Sequence, residues 1–130
     1  MTCSATETNK ITLAQGASRT ITVVCKDEDG NLVNLDGASI YMTARHRTND
    51  TSAVIYKRNT AAGGSDAEIE ILDQSTYLGY YRIKLVPTDT RLLRVDRDYV
   101  WDSWVVLASG AYYQAIPRDS LVLLASVTRF

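Results

Sequence analysis

The sequence predicts an all-β fold: a single antiparallel sandwich of two sheets, about eight or nine short strands in all, with at most one short helical turn. Three observations predict it. Apolar residues recur at period two in segment after segment, and no segment repeats them at helical spacing. Turn formers punctuate the alternation at short intervals, as at Gln15-Gly16, Asp29-Gly30, Asp36-Gly37, Gly63-Gly64, Pro87 and Ser109-Gly110. Nothing between the strands reads as a crossover helix, which a parallel sheet needs.

The elements follow in order. Residues 1–9 are a polar, Ser/Thr-rich arm with too little apolar surface to order itself, so the arm is expected to be flexible and the sandwich to run over 10–130. Ile11 and Leu13 open a first short strand, and Ile21, Val23 and Cys25 alternate with Thr20, Thr22 and Val24 in the next. Two Asp-Gly pairs then flank a short apolar piece. Asp29, Gly30, Asp36 and Gly37 are expected to determine the fold, because glycine takes positive φ and the neighbouring carboxylate bonds nearby backbone. Ala38, Ile40, Met42 and Ala44 form an inward row with Tyr41, Thr43 and Arg45 outward, ahead of a polar loop at 47–50.

Residues 53–57 make a further strand, closed by a flexible Gly-rich run at 60–66. Glu68, Ile69, Glu70 and Ile71 alternate so cleanly that one face must be wet. Tyr81, Ile83 and Leu85 alternate with Tyr80, Arg82 and Lys84 up to Pro87, after which Thr88 is expected to cap a single helical turn. Residues 99–108 and 111–116 pair as a hairpin across Ser109-Gly110, and residues 121–128 close the sandwich.

Length and charge bound the function. A chain of 130 residues builds one core without staples. With 14 Lys and Arg against 15 Asp and Glu, nothing recommends nucleic acid or an anionic membrane as a partner, and little long-range repulsion opposes assembly. The N-terminus lacks the basic and apolar regions of a secretory signal, and the longest apolar runs are too short to span a bilayer, so synthesis in a cytoplasm is expected. Cys3 and Cys25 are accordingly expected as reduced thiols, Cys25 being a small core residue.

Catalytic chemistry finds no foothold, and neither a cofactor nor a metal is expected. His46 is the only histidine, which leaves a zinc site short of ligands and Ser103 and Ser109 without an activating base. Asp27, Glu28, Asp29 and Asp36 lack the spacing that wraps calcium, and read as a turn. Glu68 and Glu70 share one wet strand face and read as solvated carboxylates rather than an acid/base pair. Gly63-Gly64 lacks the Lys-Ser/Thr of a phosphate loop.

The aromatic residues carry more information. Trp101 and Trp104 differ in parity, so they point to opposite faces of a regular strand. Tyr99, Trp101, Val105 and Leu107 make the better core row, leaving Trp104 outward with Val100 and Val106 as an interface anchor. A β-bulge near Asp102-Ser103 would instead turn Trp104 inward and make both tryptophans core. Tyr112 and Tyr113 offer one ring to each face, and Tyr80 adds amphipathic surface. The interface candidates are thus Trp104, Val100, Val106, Tyr80 and Tyr113, joined by Thr2 and Ser4 of the arm, which is suited to adding to a neighbour's sheet edge.

Several of these segments together carry a family likeness: Lys26-Asp27 and Asp29-Gly30 ahead of Asn34-Leu35-Asp36-Gly37-Ala38-Ser39-Ile40, then Leu85-Val86-Pro87-Thr88-Asp89-Thr90, Tyr99-Val100-Trp101-Asp102, and Val127-Thr128-Arg129. From Lys10 to Arg129 the chain resembles the immunoglobulin-like β-sandwich of tailed-bacteriophage virion proteins, similar to the N-terminal domain of the phage baseplate upper protein. The resemblance implies a non-enzymatic module in the virion, made in the bacterial host cytoplasm and packing against copies of itself or other virion proteins. It makes Asp36, Gly37 and Asp102 fold determinants, alongside the core residue Trp101. Ending at Phe130 without a fibre region counts against the baseplate role itself and favours a small free-standing tail, neck or capsid-surface component. The alternative of another class is a carbohydrate-binding module for host-surface attachment, since exposed rings also stack on sugars.

Overall fold

Period-two alternation buries one side of each strand and wets the other, and two sheets close on each other over the dry sides. The computed structural model describes residues 1–47, 51–59 and 68–125. Its strands are β1 Thr2–Ala5, β2 Ile11–Ala14, β3 Arg19–Lys26, β4 Ser39–Arg45, β5 Ile55–Arg58, β6 Ile69–Ile71, β7 Tyr80–Leu85, β8 Tyr99–Val106 and β9 Tyr112–Leu124, with one helical turn, α1 Pro87–Thr90, between β7 and β8. One sheet has the order β1-β3-β7-β6 and the other β2-β9-β8-β4-β5. This is the immunoglobulin-like arrangement, A-B-E-D facing G-F-C-C′, with the first strand divided between the sheets. Residues 48–50 of the polar loop expected at 47–50, the Gly-rich run at 60–66 and Val127-Thr128-Arg129 lie outside the described residues.

Four expectations are corrected. Residues 1–9 are not a free arm: β1 pairs antiparallel with β3, Cys3 faces inward, and the Asn9 carbonyl accepts the Trp101 indole N–H at 2.9 Å. Cys3 and Cys25 are not thiols. Their strand register sets them directly opposite, Cα–Cα 4.1 Å, and they are joined in a disulfide. The sandwich is not wholly antiparallel, because β2 runs parallel to β9; these two are the first and last strands of their sheet, and no hairpin dictates their direction. Finally, the described parts of the segments expected as separate strands at 111–116 and 121–128 join in one strand, β9 Tyr112–Leu124, which continues through Pro117.

Pro117 is tolerated because β9 is bulged there. Between the pairs Trp101↔Asp119 and Ser103↔Ile116 strand β9 advances three residues for two on β8, and between Ser103↔Ile116 and Trp104↔Gln114 it advances two for one. Both extra residues therefore sit on β9, where a missing ladder N–H does no harm. The burial pattern agrees: Ala115 and Ile116 are both buried, and Pro117 and Arg118 both exposed.

Polar contacts inside the sandwich set its geometry. Ser103 Oγ donates to the Tyr41 carbonyl at 2.8 Å, so its single proton is committed and the Tyr81 hydroxyl must donate to Ser103 Oγ, also at 2.8 Å. The relay joins the facing strands β7 and β8, and burial pushes the Tyr81 phenol above its ordinary pKa. Lys57 and Asp89 form a buried ion pair at 2.7 Å that ties β5 to α1. The cap of α1 is Val86 and not Thr88: Asp89 Oδ2 accepts the Val86 N–H at 2.7 Å, and Pro87 takes the first helical position.

The turns rest on neighbours of the expected residues. Gly30 and Gly37 have φ of +84° and +75°, but the bonding side chains are Asp27, which accepts the N–H groups of Asp29 and Asn31, and Asn34, which accepts that of Asp36. Tyr99 accepts the Arg94 N–H at 3.0 Å on its hydroxyl, forming the tyrosine corner of such sandwiches at the entry to β8. The largest polar knot is Gln74, whose Oε1 accepts the Leu35 and Gly79 N–H groups at 2.9 Å each while Nε2 donates to the Leu72 carbonyl at 2.8 Å.

Candidate functional site

A strand that alternates without interruption presents every second residue to one face, and β8 does so along its whole length. The alternative of a bulge that turns Trp104 inward is not met: the register shifts near Asp102-Ser103, but the extra residues lie on the partner strand. Trp101 is therefore core, 1 % exposed, while Trp104 is 39 % exposed on the outer face of the five-stranded sheet. Val100 and Val106 share that face, half-buried, with Asp102 between them.

Register assembles the surroundings. Trp104 stands opposite Tyr41 on β4 and Gln114 on β9, and Val106 opposite Ser39 and Tyr112. The Tyr41 ring lies 6.5 Å from that of Tyr56 on β5. Rings from four adjacent strands thus share one face, with Tyr56 52 % and Tyr112 72 % exposed. Trp104 is oriented by its own strand: Nε1–H donates to Asp102 Oδ2 at 3.2 Å, and the same oxygen accepts Gln114 Nε2 at 3.2 Å. Toward the start of β8 the face dips into a cleft of about 150 Å3, lined by Thr43, Arg45, Val100, Trp101, Asp102, Gln114 and Arg118.

The remaining candidates lie elsewhere. Tyr80 is on the outer face of the four-stranded sheet, its ring 6.2 Å from that of Tyr77. Thr2 and Ser4 are exposed on β1, an edge strand of that sheet. Tyr113 points to the other side of β9 from Tyr112 and lines a groove at one end of the sandwich with Met1, Leu32 and Leu107. Tyr41, Tyr56, Tyr112 and Gln114 are the surface residues absent from the sequence-based candidates. Outward parity marks Tyr41, but only the sheet order brings Tyr56 and Tyr112 alongside it.

The residues weighed for catalysis have structural employment. His46 Nδ1–H donates to the Asp98 carbonyl at 2.8 Å, and its ring meets Tyr99 edge-on. Glu68 accepts the Arg58 N–H at 2.9 Å, joining the strand edges of the two sheets, and Glu70 lies 3.9 Å from Arg82 and 3.7 Å from Lys84. Among the described residues no three His, Cys, Asp or Glu side chains gather to hold a metal ion, and no helix is long and apolar enough to cross a membrane. The chain matches no protein-family model and no curated protein sequence.

Proposed function

We propose that this chain is a non-enzymatic structural component of a tailed-phage virion, acting through protein-protein contacts made by the outer face of the β2-β9-β8-β4-β5 sheet. The observation that carries the reading is the aromatic row Tyr56, Tyr41, Trp104 and Tyr112 on four adjacent strands, with Tyr41 partly buried and the other three exposed. Rings of this kind supply large contact area at low conformational cost and are the residues on which interface energy concentrates. A net charge of −1 offers little resistance to close packing of copies, and a disulfide suits a protein that works on a particle surface after synthesis in the host cytoplasm. The virion assignment rests on the sequence resemblance, and the choice of surface on the geometry.

The test is mass spectrometry of purified particles from a phage that encodes the chain, with labelling of exposed tyrosine and tryptophan on the free protein and on the particle. Its peptides are expected in the particle, with Trp104 and Tyr56 protected there and reactive in the free protein. Absence of the protein from particles would overturn the assignment. Presence with both rings still reactive would overturn the choice of surface.

A further inference from the structure

The aromatic row accounts for contact with a protein, but not for the polar cleft beside it. We propose that this cleft is a binding site for one saccharide ring, a site that goes beyond the assembly reading and does not depend on it.

Size is the first argument. The cleft measures about 150 Å3. It is well below the roughly 300 Å3 where pockets for drug-sized ligands begin. The cleft has room for a single small ring.

Chemistry is the second. A pyranose presents hydroxyls that each donate and accept, around a ring whose C–H faces are apolar. The cleft supplies counterparts to both. Asp102 is acceptor-only, and its Oδ2 is held by Trp104 and Gln114, so its remaining lone pairs are fixed in direction before any ligand arrives. Gln114 and Thr43 each offer donor and acceptor groups. Val100 supplies apolar surface within the cleft, the Trp101 ring being turned to the core, and the indole of Trp104, hydrogen-bonded to the same Asp102, provides an exposed plane at its margin for a C–H face.

Placement is the third. Every lining residue belongs to β4, β8 or β9, three adjacent strands of one sheet, so the polar groups are positioned by backbone pairing and not by a loop. The β9 bulge also serves the site. By adding a residue between Ile116 and Asp119 it places both Pro117 and Arg118 on the outer side, where strict alternation would allow only one.

The experiment is an NMR titration of the full chain, following backbone amides and both indole N–H signals. Glucose, galactose, N-acetylglucosamine and glucuronate are added separately to about 50 mM, a range that captures millimolar affinities, and inorganic phosphate is added as a control. At least one sugar is expected to give saturable shifts at residues 43–45, 100–104 and 114–118 and at the Trp104 indole. Asp102→Ala and Gln114→Ala should each weaken that binding about tenfold or more, whereas Leu92→Ala, exposed in the connection between α1 and β8, should leave it unchanged. Gln114 is exposed, so its variant carries the test if Asp102→Ala fails to fold. No saturable shift with any sugar, equal affinity in Gln114→Ala, or saturation by phosphate alone would overturn the proposal. Absence of the unmodified protein from purified particles, with sugar binding intact, would count only against the assembly reading.

Discussion

Asp102 Oδ2 receives the Trp104 indole N–H at 3.2 Å across a single intervening residue, so the carboxylate assigned to the fold and the ring assigned to the interface form one unit on the outer face of β8. Ser103, between them, points inward to Tyr81. One tripeptide therefore feeds the core and the surface at once.

The two tryptophans should consequently respond oppositely to truncation. Trp101→Ala removes a fully buried ring and its bond to Asn9, with an expected cost of about 3 to 5 kcal/mol. Trp104→Ala removes a ring that water already reaches, and should cost under about 1 kcal/mol. Urea denaturation of both variants checks this, and equal losses would mean that Trp104 is part of the core.

The buried relay predicts an asymmetry. Ser103→Ala leaves the buried Tyr81 hydroxyl without its acceptor and removes one donor from the Tyr41 carbonyl, at a cost of about 1 to 3 kcal/mol. Tyr81→Phe leaves Ser103 still donating, and should cost about 1 kcal/mol or less. The same hydroxyl makes stability pH-dependent. Burial raises the Tyr81 pKa above its ordinary 10.0, so above that pH the unfolded chain releases a proton that the folded chain keeps. Its contribution is complete below pH 10 and declines above, by about 1.4 kcal/mol per pH unit. Comparing wild type with Tyr81→Phe from pH 9 to 11 isolates it; parallel curves would contradict the buried assignment.

Reduction of Cys3–Cys25 should matter. Closing a loop with a sequence separation of 22 is worth about 3 kcal/mol in chain entropy. The Cys3→Ser, Cys25→Ser double variant should therefore melt about 10 °C lower while keeping the remaining sheet. Thiol alkylation before and after reductant reports the bond directly, and label uptake without reductant would remove the basis for this prediction.

Gly79 and Gly30 separate backbone strain from steric collision. Both have φ above +80°, but a Cβ at Gly79 would meet the Cys25 carbonyl oxygen at 2.7 Å, whereas nothing lies within 4 Å of one at Gly30. Gly30→Ala should cost about 1 kcal/mol. Gly79→Ala should cost about 3 kcal/mol or more, since backbone must move. Equal costs by chemical denaturation would show that the turn at Gly79 yields freely.

Parity made much of this legible in advance. The inward rows of β3, β4, β7 and β8 follow from alternation alone, and so does the outward side of Trp104 once β8 runs unbroken. What alternation cannot carry is pairing between distant segments. Nothing local in Thr2-Cys3-Ser4 shows that β3 will set Cys25 opposite Cys3, so a polar composition read as an arm proved to be a strand. Gln74 reads as a surface amide until its turn folds against Leu35. The cleft was equally hidden, because Thr43, Asp102 and Arg118 come together only through the order of β4, β8 and β9 and a bulge placed on β9.

The central claim, that the outer face around Trp104 holds this protein in its particle, is tested most directly by counting copies of Trp104→Ala per purified virion against wild type, by quantitative mass spectrometry. A central aromatic anchor is worth about 2 kcal/mol, or roughly 30-fold in affinity. The account predicts a correctly folded variant whose copy number collapses, and a further loss on combining it with Tyr41→Ala. Wild-type copy number in a folded Trp104→Ala, Tyr41→Ala double variant would contradict it.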